Sequence, residues 1–153
     1  MPPDRTRVEF LVPDDLCPDD LGARLTTSPG VTHTGTQVLE RTLWDTFDWR
    51  LYRNGSIAES VGGSEPVFRW YSLVDGRLLR QVPGPPPRFA RDLPPGAFRS
   101  DLEAQIEMRA LLPQVRVRSR VHAFAVRNRE GKAVLRLRAE ENTLLDGPKI
   151  KLQ

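Results

Sequence analysis

The sequence predicts an antiparallel, β-rich α+β domain: a barrel or an incomplete barrel with one or two short helices. Three observations carry this expectation. Several segments alternate apolar and polar residues with period two, the spacing of a half-buried strand. Consecutive segments of this kind are separated by short turns, which favours hairpin-connected strands over parallel crossovers. The 11 glycines and 14 prolines in 153 residues add frequent turn signals.

The elements follow in order. Val8 to Val12 is an apolar run closed by Pro13 and reads as a first strand. Asp14 to Leu25 is a helix candidate that Asp14 or Asp15 would cap, weakened by Pro18 and Gly22. Thr26 to Thr36, rich in Thr, Ser, Pro and Gly, reads as a loop. Alternation returns over Val38 to Trp44, a turn or bulge follows at Asp45 to Asp48, and Trp49 to Tyr52 leads into an Asn54-Gly55 turn. Ser56 to Ser60 is a strand ended by Gly62-Gly63.

Val67 to Val74 alternates strongly, and Asp75-Gly76 turns it into a returning strand over Leu78 to Val82. Pro83 to Gly96 is a stiff proline-rich connector. Ser100-Asp101-Leu102-Glu103 has the form of a capping box, which predicts a helix starting at Ser100 and ended by Pro113. The last two strands are joined by a hairpin loop over Asn128 to Lys132. The expected domain is residues 1–141, with 142–153 as a short polar tail.

Those last two strands hold the main functional signal. Val115-Arg116-Val117-Arg118-Ser119-Arg120-Val121-His122 places Arg116, Arg118, Arg120 and His122 on one face and Val115, Val117 and Val121 on the other. Val134 to Glu140 sets Arg136 and Arg138 against Leu135, Leu137 and Ala139. A guanidinium-lined face suits anions, because arginine offers planar, multidentate donors to phosphate oxygens. The alternative is a solvated face in which acids from neighbouring strands, Glu40, Glu59 or Glu65, make a structural ion-pair network.

Composition narrows the field. A net charge of +3 is too small to argue for a specific nucleic-acid partner. Cys17 is the single cysteine, which excludes an internal disulfide framework. With no apolar run of about 18 residues there is no membrane span to expect, and without an apolar signal core at the N-terminus the expected location is the cytoplasm. His33 and His122 lack a third zinc ligand nearby in sequence. Trp44, Trp49 and Trp70 are expected in the core.

Trp44-Asp45-Thr46-Phe47-Asp48-Trp49-Arg50-Leu51-Tyr52-Arg53-Asn54-Gly55 resembles the second-strand signature of the CYTH family, the triphosphate tunnel enzymes. That signature is an aromatic-Asp-Thr-x-Asp turn followed by Leu, a spacer and Gly. The order of an N-terminal strand, the Trp-bearing Phe68-Arg69-Trp70 strand, a helix and a paired-basic strand is similar too. The likeness is strongest to CYTH modules that accompany CHAD domains in bacterial proteins.

The resemblance implies a tunnel barrel that binds triphosphate or polyphosphate. Arg118 and Arg120 match the paired-basic strand and Arg69 a basic position on the Trp-bearing strand. Asp45 and Thr46 match the turn and are read as structural. A divalent metal, magnesium or manganese, would need acids, for which Glu9 and Glu140 are the candidates. Implied partners are polyphosphate or triphosphate, a CHAD domain, or a second copy of the chain.

The family's first-strand Glu-x-Glu-x-Lys is absent, with Arg5, Arg7 and Glu9 there instead, and Gly55 is followed by Ser56-Ile57-Ala58-Glu59-Ser60 without a base. The family barrel also continues past the end of this chain, so a part-formed tunnel or the N-terminal part of a longer protein is expected. Polyanion binding without efficient catalysis is therefore the first expectation. A metal-dependent triphosphatase and a non-catalytic scaffold are the alternatives.

Overall fold

A computed structural model describes residues 8–146. Six strands form one sheet in the order β4-β3-β2-β1-β5-β6. They are β1 (Val31–Asp45), β2 (Ser56–Val61), β3 (Val67–Ser72), β4 (Leu78–Pro83), β5 (Leu112–Arg127) and β6 (Ala133–Asp146). The helices are α1 (Pro18–Thr27), α2 (Arg50–Arg53) and α3 (Ala97–Ile106), with a 3-10 turn at Ala90–Asp92. The sheet is antiparallel and open, with β4 and β6 as its two edges. No helix is long and apolar enough to cross a membrane, among the described residues.

The chain divides into two compact units. The larger comprises Gln37–Val121 and Glu141–Gln153. Its register pairs Trp44 with Ala58 and Ala58 with Trp70 on one face, and Leu43 with Glu59 and Glu59 with Arg69 on the other. The core lies on the first face. Leu51, Phe68, Leu102 and Ile106 are fully buried there, and Trp44, Leu79, Val82 and Phe98 pack against them. Phe98 of α3 stacks on Phe68 at 5.6 Å between ring centroids and on Trp70 at 6.1 Å. Area burial of such rings contributes roughly 2 kcal/mol each, which adds to the burial of Leu102 and Ile106 in docking the helix.

The Asp45 turn that closes β1 is structural, as read. Asp45 and Thr46 are buried. The Asp45 carboxylate accepts from the amides of Thr46 at 2.7 Å, Leu51 at 2.9 Å and Tyr52 at 3.0 Å. Thr46 Oγ1 donates to Asp48 at 2.8 Å and accepts from the Arg50 amide at 3.0 Å. These bonds satisfy the amides that the first turn of α2 leaves without partners. Gly55, at φ 71°, then reverses the chain into β2.

The smaller unit comprises Met1–Thr36 and His122–Glu140. Within it, Phe124 lies under Gly22 of α1, at a distance that leaves room for no more than a methyl group. The backbone there closes tightly: a Cβ on Gly30 would sit 2.7 Å from the Arg127 carbonyl oxygen, and the Arg127 amide donates to Gly30 O at 2.9 Å.

Several expectations are corrected. Residues 8–12 form no strand. Phe10 and Leu11 are 85% and 100% exposed, and an isolated extended run gains nothing without a neighbour to complete its ladder. Pro18 does not weaken α1 but stands at its start, where its missing N–H costs nothing. β1 begins at Val31, inside the expected loop.

The approach to the Asn54-Gly55 turn, for which the sequence predicts no element, is a helical turn over residues 50–53 that the Asp45 and Thr46 side chains cap. Ser100 is not an N-cap: its amide donates to Gly96 O at 3.1 Å, so α3 starts earlier, straight after the proline loop. The helix ends at Ile106, well before Pro113, where Glu107 turns to φ 55°. β6 runs to Asp146, into the expected tail; residues 147–153 lie outside the described ones. Trp49 is 40% exposed rather than core.

Candidate functional site

β5 alternates as expected. Arg116, Arg118 and Arg120 are exposed, whereas Val115 and Val117 are half-buried and Ser119 and Val121 buried. The three guanidinium groups are comparably open, at 51%, 54% and 53% side-chain exposure. Successive positions on one strand face are about 6.7 Å apart, so they form an evenly spaced cationic row.

The row carries its own counter-charges. Arg118 Nη2 donates to Glu40 Oε1 at 2.9 Å, and Arg116 approaches the other oxygen of the same carboxylate at 4.0 Å. Arg116 also donates to Asp146 at 3.3 Å, and Arg120 faces Glu141 at 3.9 Å. The hydrogen bond from Arg118, then its charge, holds the Glu40 carboxyl below its usual range, and Arg116 adds to this. Three arginines thus meet three carboxylates, all of them exposed, in pairs that water and salt screen strongly. Of the acids expected to oppose the row, Glu40 does so; Glu59 pairs elsewhere, and Glu65 makes no ion pair among the described residues.

Arg69 does not join this row. It stands across from Glu59 in the register. Glu59 shares its face with Arg41, which it approaches at 3.7 Å. Arg41 in turn donates to Ser119 Oγ from Nε at 3.0 Å and from Nη2 at 2.7 Å. Ser119 is on the valine side of β5, so Arg69 and the arginine row occupy opposite faces of the sheet. The reason is parity: a one-residue step along a strand changes the face.

This second face holds a polar network that sequence reasoning missed. Arg41 Nη2 also reaches Asn142 Oδ1 at 3.1 Å, and Ser119 donates to the same oxygen at 2.6 Å. Ser119 is fully buried and Glu59 nearly so. The available signal was a charge on an otherwise apolar register: Arg41 alternates with Leu39 and Leu43, and Ser119 interrupts the valines.

Arg136 and Arg138 are exposed residues of β6 in the smaller unit. Arg138 faces Glu140 at 3.8 Å, and Arg136 makes no ion pair among the described residues. In the same unit Thr36 Oγ1 bridges His33 Nε2 and His122 Nδ1, each at 3.1 Å, so His122 serves hydrogen bonding and packing. Neither Glu9 nor Glu140 belongs to a metal-ligand cluster: no three His, Cys, Asp or Glu side chains converge to hold an ion among the described residues.

No protein-family model, no curated protein and no solved structure matches the chain.

Proposed function

We propose that the domain is a binding module for inorganic polyphosphate or a related phosphate polyanion. In this reading Arg116, Arg118 and Arg120 are its contact row, and it carries out no efficient catalysis. The observation that supports this is the even row of half-exposed guanidinium groups on β5, each held only by exposed carboxylates. A phosphate chain repeats its charge along its length as the row does, and guanidinium groups bind phosphate oxygens by paired N–H donors.

The charge balance selects the ligand. An incoming anion must displace Glu40, Glu141 and Asp146, so a single phosphate gains little, whereas a chain that engages all three arginines releases three carboxylates at once. The CYTH-like character of the turn and of the paired-basic strand supports the same reading, and makes a CHAD domain in the cytoplasm its proposed neighbour. Hydrolysis with magnesium or manganese would need carboxylates converging on the arginines and free to hold the ion. The three present are engaged by the arginines themselves.

Calorimetric titration tests the proposal. Tripolyphosphate and long-chain polyphosphate should bind, more tightly with length, and weaken steeply as salt is raised. Orthophosphate should not bind measurably. Absence of any binding at low salt by folded protein overturns it.

A further inference from the structure

We infer that the outer edge of β6 is a self-association surface, on which a second copy of the chain adds its own β6 antiparallel and extends the sheet across a two-fold axis. β6 is the last strand of the sheet, with no strand on its far side among the described residues. It is 14 residues long and, apart from Leu137 and Ala139, exposed throughout. The opposite edge differs: β4 has six residues and ends in Pro83, the kind of short, proline-closed strand that resists pairing. β6 contains no proline, glycine or lysine, and the charges it carries are of both signs.

The sequence of β6 names the occupant. Its basic residues, Arg136 and Arg138, precede its acidic ones, Glu140, Glu141 and Asp146. Reversed against itself, such a strand sets plus against minus. An antiparallel pair of identical strands has its two-fold normal to the sheet, so paired residues share a face and one residue sits opposite its own copy.

Centring on Arg138 or Glu140 opposes like charges, and centring on Leu137 or Glu141 opposes Arg136 to Arg138 or Glu141 to itself. Centring on Ala139 sets Arg138 against Glu140 twice over and Arg136 diagonally near Glu140. Of the registers centred on residues 137 to 141, it alone opposes unlike charges directly without opposing like ones.

The test uses the full chain. Analytical ultracentrifugation over a concentration series should show a monomer–dimer equilibrium. Arg138→Glu alone and Glu140→Arg alone should each shift it tenfold or more toward monomer. The double variant Arg138→Glu with Glu140→Arg should restore the dimer, which a merely destabilised fold would not do.

In a Cys17→Ser background, Ala139→Cys should form an intermolecular disulfide under mild oxidation, since directly opposed Cβ atoms lie about 5 Å apart. Cysteine at Arg136 or Glu141 should not. A protein that stays monomeric at its highest soluble concentration overturns the inference, as does a dimer indifferent to both charge reversals, or crosslinking at the outer positions in preference to Ala139. Polyphosphate binding is measured separately on the monomeric variants, so the fate of that proposal stays distinct.

Discussion

Arg118 and Glu40 meet at 2.9 Å across the β1–β5 pair, and Arg116 turns toward the same carboxylate. The contact makes Glu40 the resident competitor for any anion that approaches the row. Glu40→Gln removes that competitor and keeps the size of the side chain. Tripolyphosphate affinity should rise roughly threefold or more, because an exposed pair of this kind no longer has to be broken. The unfolding midpoint should barely move, and calorimetry beside a thermal melt reads both. A fall in affinity would mean that Glu40 orients the arginines for the ligand and does not compete with it.

Arg118→Ala with Arg120→Ala should abolish most of the binding, leave the fold intact and flatten the salt dependence of what remains. Both side chains are exposed and pair only at the surface, so their loss takes little packing with it. Arg69→Ala should leave affinity for the chain unchanged, since Arg69 occupies the opposite face. Parallel titrations of the two variants separate the faces.

Part of this was legible in the sequence and part was not, and the division has physical causes. The alternation on β5 fixed which residues share a face, because a strand's period is two whatever surrounds it. The hairpin turns at Asp75-Gly76 and Asn128–Lys132 were legible for a similar reason: turn chemistry is local. The position of Arg69 was not, since it depends on which residue of β2 lies opposite, and register is a relation between segments. The capping-box pattern at Ser100 misled, because the docking of Phe98 against Phe68 and Trp70 extends α3 upstream of it. The counter-charge of Glu40 was one of three candidates, and only the β1–β5 pairing chose among them.

Asp45 is the residue whose loss should cost most stability. Its carboxylate receives three backbone amides in a buried turn. Asp45→Ala strands those donors and should destabilise by about 3 kcal/mol, the cost of leaving buried polar groups unpaired. Asp45→Asn keeps the two oxygen-facing geometries only in part and should cost about half as much. Urea unfolding curves give both numbers, and polyphosphate binding by the folded fraction should be unchanged.

Acid should weaken the cluster around Arg109. Burial would raise the Asp48 carboxyl, but hydrogen bonds from Thr46 and Arg50, with the charge of Arg109, outweigh it and hold it below its ordinary value. Glu107 is lowered by its hydrogen bond from Arg109 and by the charge of Arg50. For a carboxyl whose folded-state pKa is depressed, the stabilisation is present above the unfolded value. It is lost as pH falls from the unfolded value through the depressed folded one. The wild-type melting temperature should therefore fall between neutral pH and about pH 3, as paired carboxylates protonate. Asp48→Asn should melt lower than wild type at neutral pH and approach it in acid. A constant gap between the two across that range would show that Asp48 acts through shape rather than charge.

The Arg41 network should behave differently from the exposed row, because its partners are buried. Glu59 has 11% side-chain exposure and Ser119 none of note. Arg41→Leu takes away a charge that faces Glu59 and two donors that face Ser119. A buried carboxylate that loses a cation should cost about 2 kcal/mol, more than any exposed pair on the β5 row. Pairing Arg41→Leu with Glu59→Leu removes both charges. The double variant should recover part of that loss, since an apolar pair needs no compensating charge. Chemical denaturation of the two single variants and the double gives the coupling directly, and additive effects would place Arg41 and Glu59 in separate networks.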